Sequence, residues 1–242
     1  MLYILIQQYL LSYLNLQDEE TDMCKIINLF GEPGAGKSAL AAYIFYRLKI
    51  MGYNCEICTE FAKDMVYENN INALGNQSYV FGQQLQRMNR LKNNVDIIIT
   101  DSPLFLCGLY IKEDDIANNF FNLVYDIFNS FDNYNYLLKR AHSYVHDGRL
   151  QDENGAEKIR NELIVALNHY KVPYEEIMCS ANPNQYNNPA GDYIVSEIIK
   201  DLKSYDELKN DDKPKNKFGL LSSLFKNRFS STPNSFIVGK IK

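Results

Sequence analysis

No run of this 242-residue chain is apolar for the roughly 20 residues that a membrane-spanning helix needs. Its start carries no positively charged secretory region. The five cysteines (Cys24, Cys55, Cys58, Cys107 and Cys179) are odd in number, so no disulfide framework is indicated and a reducing cytoplasm is the simplest expectation. Only Cys55 and Cys58 stand at a metal-like spacing. Residues three apart in a strand point to opposite faces, and no second Cys or His pair lies at zinc spacing. Basic residues are not in excess either, since 25 Lys and Arg stand against 30 Asp and Glu, a net charge of −5. That balance exerts no general pull on nucleic acid, so any polyanion must be held by a local basic site. No internal repeat is visible.

What the chain does have is 46% hydrophobic content, enough to bury a full core in one large domain with appendages. Residues 1–16 carry no charged side chain and lead into the acidic stretch 18–22. Gln8, Ser12 and Asn15 share one helical face, so 1–22 reads as an accessory segment with a short amphipathic or packed helix. Met23 is then the expected natural start. Beyond about Leu208 a charged, Pro-containing linker leads to an apolar patch at 218–225 among Lys217, Lys226, Arg228, Lys240 and Lys242. Residues 208–242 are read as a linker and basic tail, either a disordered end or a surface for a membrane or partner.

The most informative stretch is Gly31-Glu32-Pro33-Gly34-Ala35-Gly36-Lys37-Ser38, a G-x-x-x-x-G-K-S phosphate loop. It lies between an apolar run, 24–30, and a helical one that opens at Ala39, the strand-loop-helix context the motif requires. Backbone N–H groups of a glycine-rich turn, added to the positive end of the following helix, cradle a di- or triphosphate. Gly31 through Ala39 are therefore candidate nucleotide ligands. Lys37 is expected to reach the β- and γ-phosphates and Ser38 to hold Mg2+, which implies ATP and Mg2+ as cofactors.

Strand-like and helix-like runs alternate from residue 23 onward. Strands are expected over 24–30, 53–60, 95–100, 134–138 and 174–178, and helices over 38–51, 61–69, 79–91, 115–131, 156–170 and 192–203. Apolar strands separated by helices imply a parallel sheet covered on both faces. The expected fold class is α/β, a P-loop NTPase three-layer sandwich with a five-stranded parallel sheet of the nucleoside/nucleotide kinase kind, spanning 23–207. Right-handed crossovers bring the strand C-termini, and the loops after Phe30, Glu60 and Thr100, to one edge.

Three further groups on that edge carry chemistry. Asp101 follows the β-branched end of the third strand, where phosphate-loop enzymes keep a carboxylate that orients Mg2+ or the acceptor hydroxyl, so Ser38 and Asp101 form the expected metal site. Glu60 ends the second strand, where a carboxylate serves either as the base for an attacking hydroxyl or as a weak cap of the helix from Phe61. Lys63, one turn on, binds a substrate phosphate or is solvated. Arg140 and Arg149 flank a glycine-containing loop that can close over a triphosphate and put a guanidinium on the transferring phosphoryl. The bland reading of that segment is a solvated basic loop. His142 and His146, in the same segment, have no metal-ligand partners at suitable spacing. Lys37, Glu60, Asp101, Arg149 and Arg140 are the expected catalytic set.

These motifs together resemble the NadR-type kinase-like AAA family. The likeness rests on the phosphate loop, on Thr59-Glu60-Phe61-Ala62-Lys63, Phe81-Gly82-Gln83-Gln84, Thr100-Asp101-Ser102-Pro103 and His146-Asp147-Gly148-Arg149, and on the segment 171–177. It covers roughly 23–203 and looks closest to small ATPase or nucleotide-kinase-like proteins of bacteriophages. The resemblance implies phosphoryl transfer from ATP to an acceptor such as nicotinamide riboside. The position of Glu60 is similar to that of the general base in deoxynucleoside kinases. The chain departs from the bacterial family in lacking the adenylyltransferase domain and its H-x-G-H motif, and the aromatic that would stack on a nicotinamide ring does not stand out among 18 tyrosines.

The sequence thus favours a kinase that moves the γ-phosphate of ATP to a hydroxyl of a nucleoside or nucleotide. A kinase acting on a nucleic-acid end or a modified base needs a basic channel beside the same edge. An ATP-driven switch needs a group that activates water, and Ser102 stands where many ATPases have a second acid after Asp101. Neither the acceptor nor the oligomeric state is written in the sequence.

Overall fold

The computed structural model describes residues 24–111, 117–140, 153–179 and 188–211. The accessory segment 1–22, Arg149 with His142 and His146, and the tail beyond Asp211 lie outside the described residues. The chain divides into a unit that ends at Ile198 and a second that begins at Ile199.

Five strands form one sheet: β1 (Lys25–Phe30), β2 (Cys55–Cys58), β3 (Ile97–Thr100), β4 (Asp132–Arg140) and β5 (Glu175–Cys179). The order is β2-β3-β1-β4-β5 and every pairing is parallel, so the fold is the α/β parallel-sheet class expected. Around it run α1 (Lys37–Ile50), α2 (Phe61–Tyr67), α3 (Ile71–Leu74), α4 (Gln77–Leu91), α5 (Leu106–Leu109), α6 (Ala117–Asn129), α7 (Glu153–His169) and α8 (Pro189–Asp211). Among the described residues no helix is long and apolar enough to cross a membrane.

β1 is buried along nearly its whole length because it is central and covered on both faces. Its pleat sends Ile26 and Phe30 into a core with Ile98, Leu137, Met88 of α4, Val124 and Phe128 of α6, and Leu163 and Leu167 of α7. Ile27 and Leu29 alternate to the opposite face. Helix α1 packs against β1, β2 and β3 and buries Leu40, Ala41, Ile44 and Leu48. The start of α8 approaches α1 so closely that a methyl at Gly191 would stand 2.3 Å from the Tyr43 ring. Tyr43 and Arg47 both bond Asp192 there.

Several boundaries differ from the sequence reading for physical reasons. β4 begins at Asp132, although its first residues are polar. Asn28, fully buried in β1, donates to Asn133 at 2.8 Å and Asn135 at 3.0 Å, and Asn135 donates onward to Pro173 O at 3.0 Å. These cross-strand bonds admit polar side chains that alternation rules exclude. β2 is shorter than expected because Tyr53 N bonds back to Leu48 O, and Asn54 O receives the amides of Asp96 and Ile97. Helix α4 starts two residues early, where Asn76 caps it by accepting from Tyr79 N. Two one-turn helices, α3 and α5, fall in stretches read as loops.

Candidate active site

A parallel sheet aligns its strand ends, so the C-terminal residues Phe30, Cys58, Thr100, Arg140 and Cys179 lie on one edge. The phosphate loop follows β1 directly. Its turn needs glycine at two places for different reasons. Gly31 lies against the β4 backbone, where an added Cβ would meet Leu138 O at 3.3 Å. Gly36 occupies the α1 N-cap with φ of 88°, in the left-handed region. A Cβ there would stand 3.1 Å from the buried Cys179 Sγ, so the end of β5 lies against the loop.

Lys37 folds back over its own loop. Its Nζ donates to Gly31 O at 2.9 Å and to Glu32 O at 3.1 Å, which ties the ammonium to the loop. Ser38, next along α1, donates its hydroxyl to Asp101 Oδ2 at 2.5 Å. The register that makes this contact is set in the sheet, where Asn28 pairs Thr100 across β1 and β3. Thr100 in turn accepts from Ser102 N at 3.1 Å and shapes the turn after Asp101. Ala39 is exposed on the first turn of α1.

Glu60 occupies the N-cap position of α2 with extended backbone, and its side chain makes no capping hydrogen bond. Of the two readings of this carboxylate, a cap finds no support. Burial pushes its pKa up, the Lys37 ammonium lowers it, and Asp101 raises it again. β3 separates β2 from β1 in the sheet, yet Glu60, Lys37 and Asp101 lie within one another's electrostatic reach. Lys63 also acts on Glu60, in the lowering direction. Burial first and the Glu60 charge second push the Cys107 thiol up to about 12.

The turn that carries Glu60 is held from α4. Gln84, buried on α4, accepts from Phe61 N at 2.9 Å and donates to Thr59 O at 3.3 Å. Arg87, one turn on, donates to Thr59 Oγ1 at 3.1 Å and pairs with Asp64 of α2. Gln84 and Arg87 therefore bracket the turn that carries Glu60.

Arg140, expected in the catalytic set, lies beside Glu32 of the loop. It ends β4 with its Nε 3.9 Å from Glu32 Oε1, and Arg160 of α7 places Nη1 4.0 Å from Glu32 Oε2. Arg160, which sequence reasoning missed, also donates to Leu138 O at 3.4 Å and pairs with Glu176 at 3.1 Å. Arg149 falls outside the described residues. Away from this edge, an open depression of about 750 Å³ follows α7, lined by Glu157, Asn161, Val165, His169, Tyr170 and Phe121 among others, and shares no residue with the site.

No protein-family model matches the chain, and no curated protein matches it in sequence. Among solved structures, deoxyadenosine kinase from M. mycoides with bound dATP aligns over 74% of this chain and 99% of its own, at 17% identity and a TM-score of 0.44. A second structure of that enzyme, with products dCMP and a flexible dCDP bound, aligns over 74% and 99% at 18% identity and a TM-score of 0.42.

Proposed function

We propose that this chain is an ATP-dependent phosphotransferase of the nucleoside/nucleotide kinase kind, moving the γ-phosphate of ATP to a hydroxyl of a nucleoside or nucleotide. The observation that carries the reading is the 2.5 Å bond between Ser38 and Asp101, formed beside Lys37 with the uncapped Glu60 carboxylate in the field of both charges. The catalytic domain is 23–207, with 1–22 and 208–242 as appendages.

The Ser38 and Asp101 oxygens fit Mg2+, a hard cation bound through one or two carboxylates together with substrate phosphates. Among the described residues no cluster of three or more His, Cys, Asp or Glu offers an all-protein metal cage. Ser38 and Asp101 would hold Mg2+, which would supply charge neutralisation at the transferring phosphoryl. Lys37 gives up the Gly31 and Glu32 carbonyls for the β- and γ-phosphates. A Glu60 carboxylate oxygen takes the proton of the acceptor hydroxyl as the hydroxyl oxygen attacks the γ-phosphorus, and the bond from that phosphorus to the β–γ bridging oxygen breaks to release ADP. Its raised pKa suits a base that must bind the proton during transfer and release it afterwards. Phosphoryl transfer asks for positioning and charge stabilisation rather than covalent chemistry, and the loop, Asp101 and Glu60 offer both.

ADP release from Mg-ATP measured across nucleosides, nucleotides, nicotinamide riboside and a 5′-hydroxyl oligonucleotide tests the reading. Acceptor-dependent ADP release with a small molecule supports it. Turnover with the oligonucleotide alone points to a nucleic-acid kinase, and rapid turnover without any acceptor points to an ATP-driven switch; either outcome overturns it.

A further inference from the structure

Glu32 occupies the second position of the phosphate loop. The loop's amides and Lys37 are arranged for negative charge, yet Glu32 brings a carboxylate of its own, only 5% exposed. Its Oε2 is buried and has no hydrogen-bond partner. Two guanidiniums stand at 3.9 and 4.0 Å, close enough for ion pairing and too far for hydrogen bonds. Both arginines are themselves largely buried, with side chains 15% and 16% exposed. They come from different elements, Arg140 from the end of β4 and Arg160 from α7, and converge on a residue more than 100 positions earlier in the chain. Meanwhile the Glu32 backbone carbonyl accepts from Lys37 Nζ. Among the described residues, Glu32 therefore faces Lys37, Arg140 and Arg160 together.

A buried carboxylate is tolerated only when opposite charge compensates it. At 3.9 and 4.0 Å neither guanidinium is hydrogen-bonded to Glu32, so an anion that offers such bonds competes for their charge. Phosphate oxygens accept bidentate guanidinium hydrogen bonds that the distances to Glu32 do not provide.

We infer that Glu32 is a resident anion that holds Arg140 and Arg160 beside the phosphate loop, and that the polyphosphate of the nucleotide competes with it for their charge. The inference rests on the reading that the loop binds a nucleoside triphosphate. Its consequence is that Glu32 lowers, and Arg160 raises, the preference of the site for a longer phosphate chain. Glu32 and Arg160 are positioning residues for the phosphates.

Thermal shift and equilibrium binding on the full chain, with Mg2+ and ATP, ADP, inorganic tripolyphosphate or adenosine, provide the test. Glu32→Gln lowers the melting temperature of the free protein, because Arg140 and Arg160 lose the carboxylate they share and Arg160 keeps only the half-exposed Glu176, yet it enlarges the upshift produced by ATP and tightens ATP and tripolyphosphate several-fold. Arg160→Gln weakens ATP about tenfold, weakens ADP less, and leaves adenosine unchanged. Arg160→Lys, which keeps the charge, recovers most of the loss. A purely structural role would shift all ligands alike, so unchanged ATP-to-adenosine selectivity in Glu32→Gln and Arg160→Gln overturns the inference. Lys37→Ala separates the two levels: if it binds ATP as wild type does, the nucleotide reading itself fails. Should Glu32→Gln not fold, the Arg160 pair decides, since equal ATP loss in the Lys and Gln variants refutes a charge-holding role.

Discussion

Replacing Glu60 with glutamine keeps the side chain's size and removes a charge that burial penalises first and Asp101 penalises further, against partial compensation from Lys37 and Lys63. The raised pKa means that folding favours the protonated acid. Below the ordinary value of 4.5 the carboxyl carries its proton in the folded and unfolded chains alike, and the penalty is absent. As the pH rises through the raised folded value, the unfolded chain ionises more readily and the penalty reaches its full size. At neutral pH, Glu60→Gln should therefore stabilise the protein. For a half-buried carboxylate the gain is on the order of 1 kcal/mol, which in a chain of this length is about 2–4 °C of melting temperature. The same substitution removes the proposed base and should lower kcat by about 10²–10⁴. Differential scanning fluorimetry at neutral pH and near pH 4.5, paired with acceptor-dependent ADP release, measures both effects. A melting temperature that falls at neutral pH, an equal gain at both pH values, or a kcat near wild type would refute the reasoning.

The acidic limb of kcat/KM should lie above the ordinary glutamate range, because Glu60 must be ionised to accept a proton and burial holds its pKa up; a limb at the ordinary position would dissociate Glu60 from catalysis. Asp101→Asn should keep the fold, since Asp101 is only partly buried, while its turnover falls and the Mg2+ concentration for half-maximal rate rises; an unchanged Mg2+ titration would argue against the Ser38 and Asp101 site. Gln84→Ala should cost about 1–3 kcal/mol, because Phe61 N–H loses its buried acceptor, and should raise the acceptor KM more than the ATP KM. An increase confined to ATP would place the turn that Gln84 supports on the donor side instead.

The parts of this protein that could be read in sequence are those where local spacing encodes geometry. The phosphate loop declares itself because glycines, Lys37 and Ser38 act within eight consecutive residues. Asp101 was legible because β-branched Ile97, Ile98 and Ile99 mark a buried strand whose end is fixed by the fold class. Arg160 was not, since on a helix it looks like any solvated charge until Glu32 is seen to approach it from far along the chain. Gln84 stood within a quoted motif, but its task, bonding the backbone at Thr59 and Phe61, depends on how α4 meets the β2 end. The same limit hid the start of β4. Asparagines there read as loop residues, and only a partner on β1 turns them into strand.

That partner has a consequence during synthesis. Lys25 of β1 pairs with Asp132, 107 residues later, so at roughly 5–20 residues per second the strand that carries the phosphate loop leaves the ribosome many seconds before β4 exists to flank it. Throughout that interval Ile26-Ile27-Asn28-Leu29-Phe30 is an exposed β-prone segment of the kind that associates with copies of itself. Asn28 interrupts its hydrophobicity at the centre. The amide that later ties β1 to β4 is a polar break at the centre of that run, a placement that lowers the aggregation tendency of such segments.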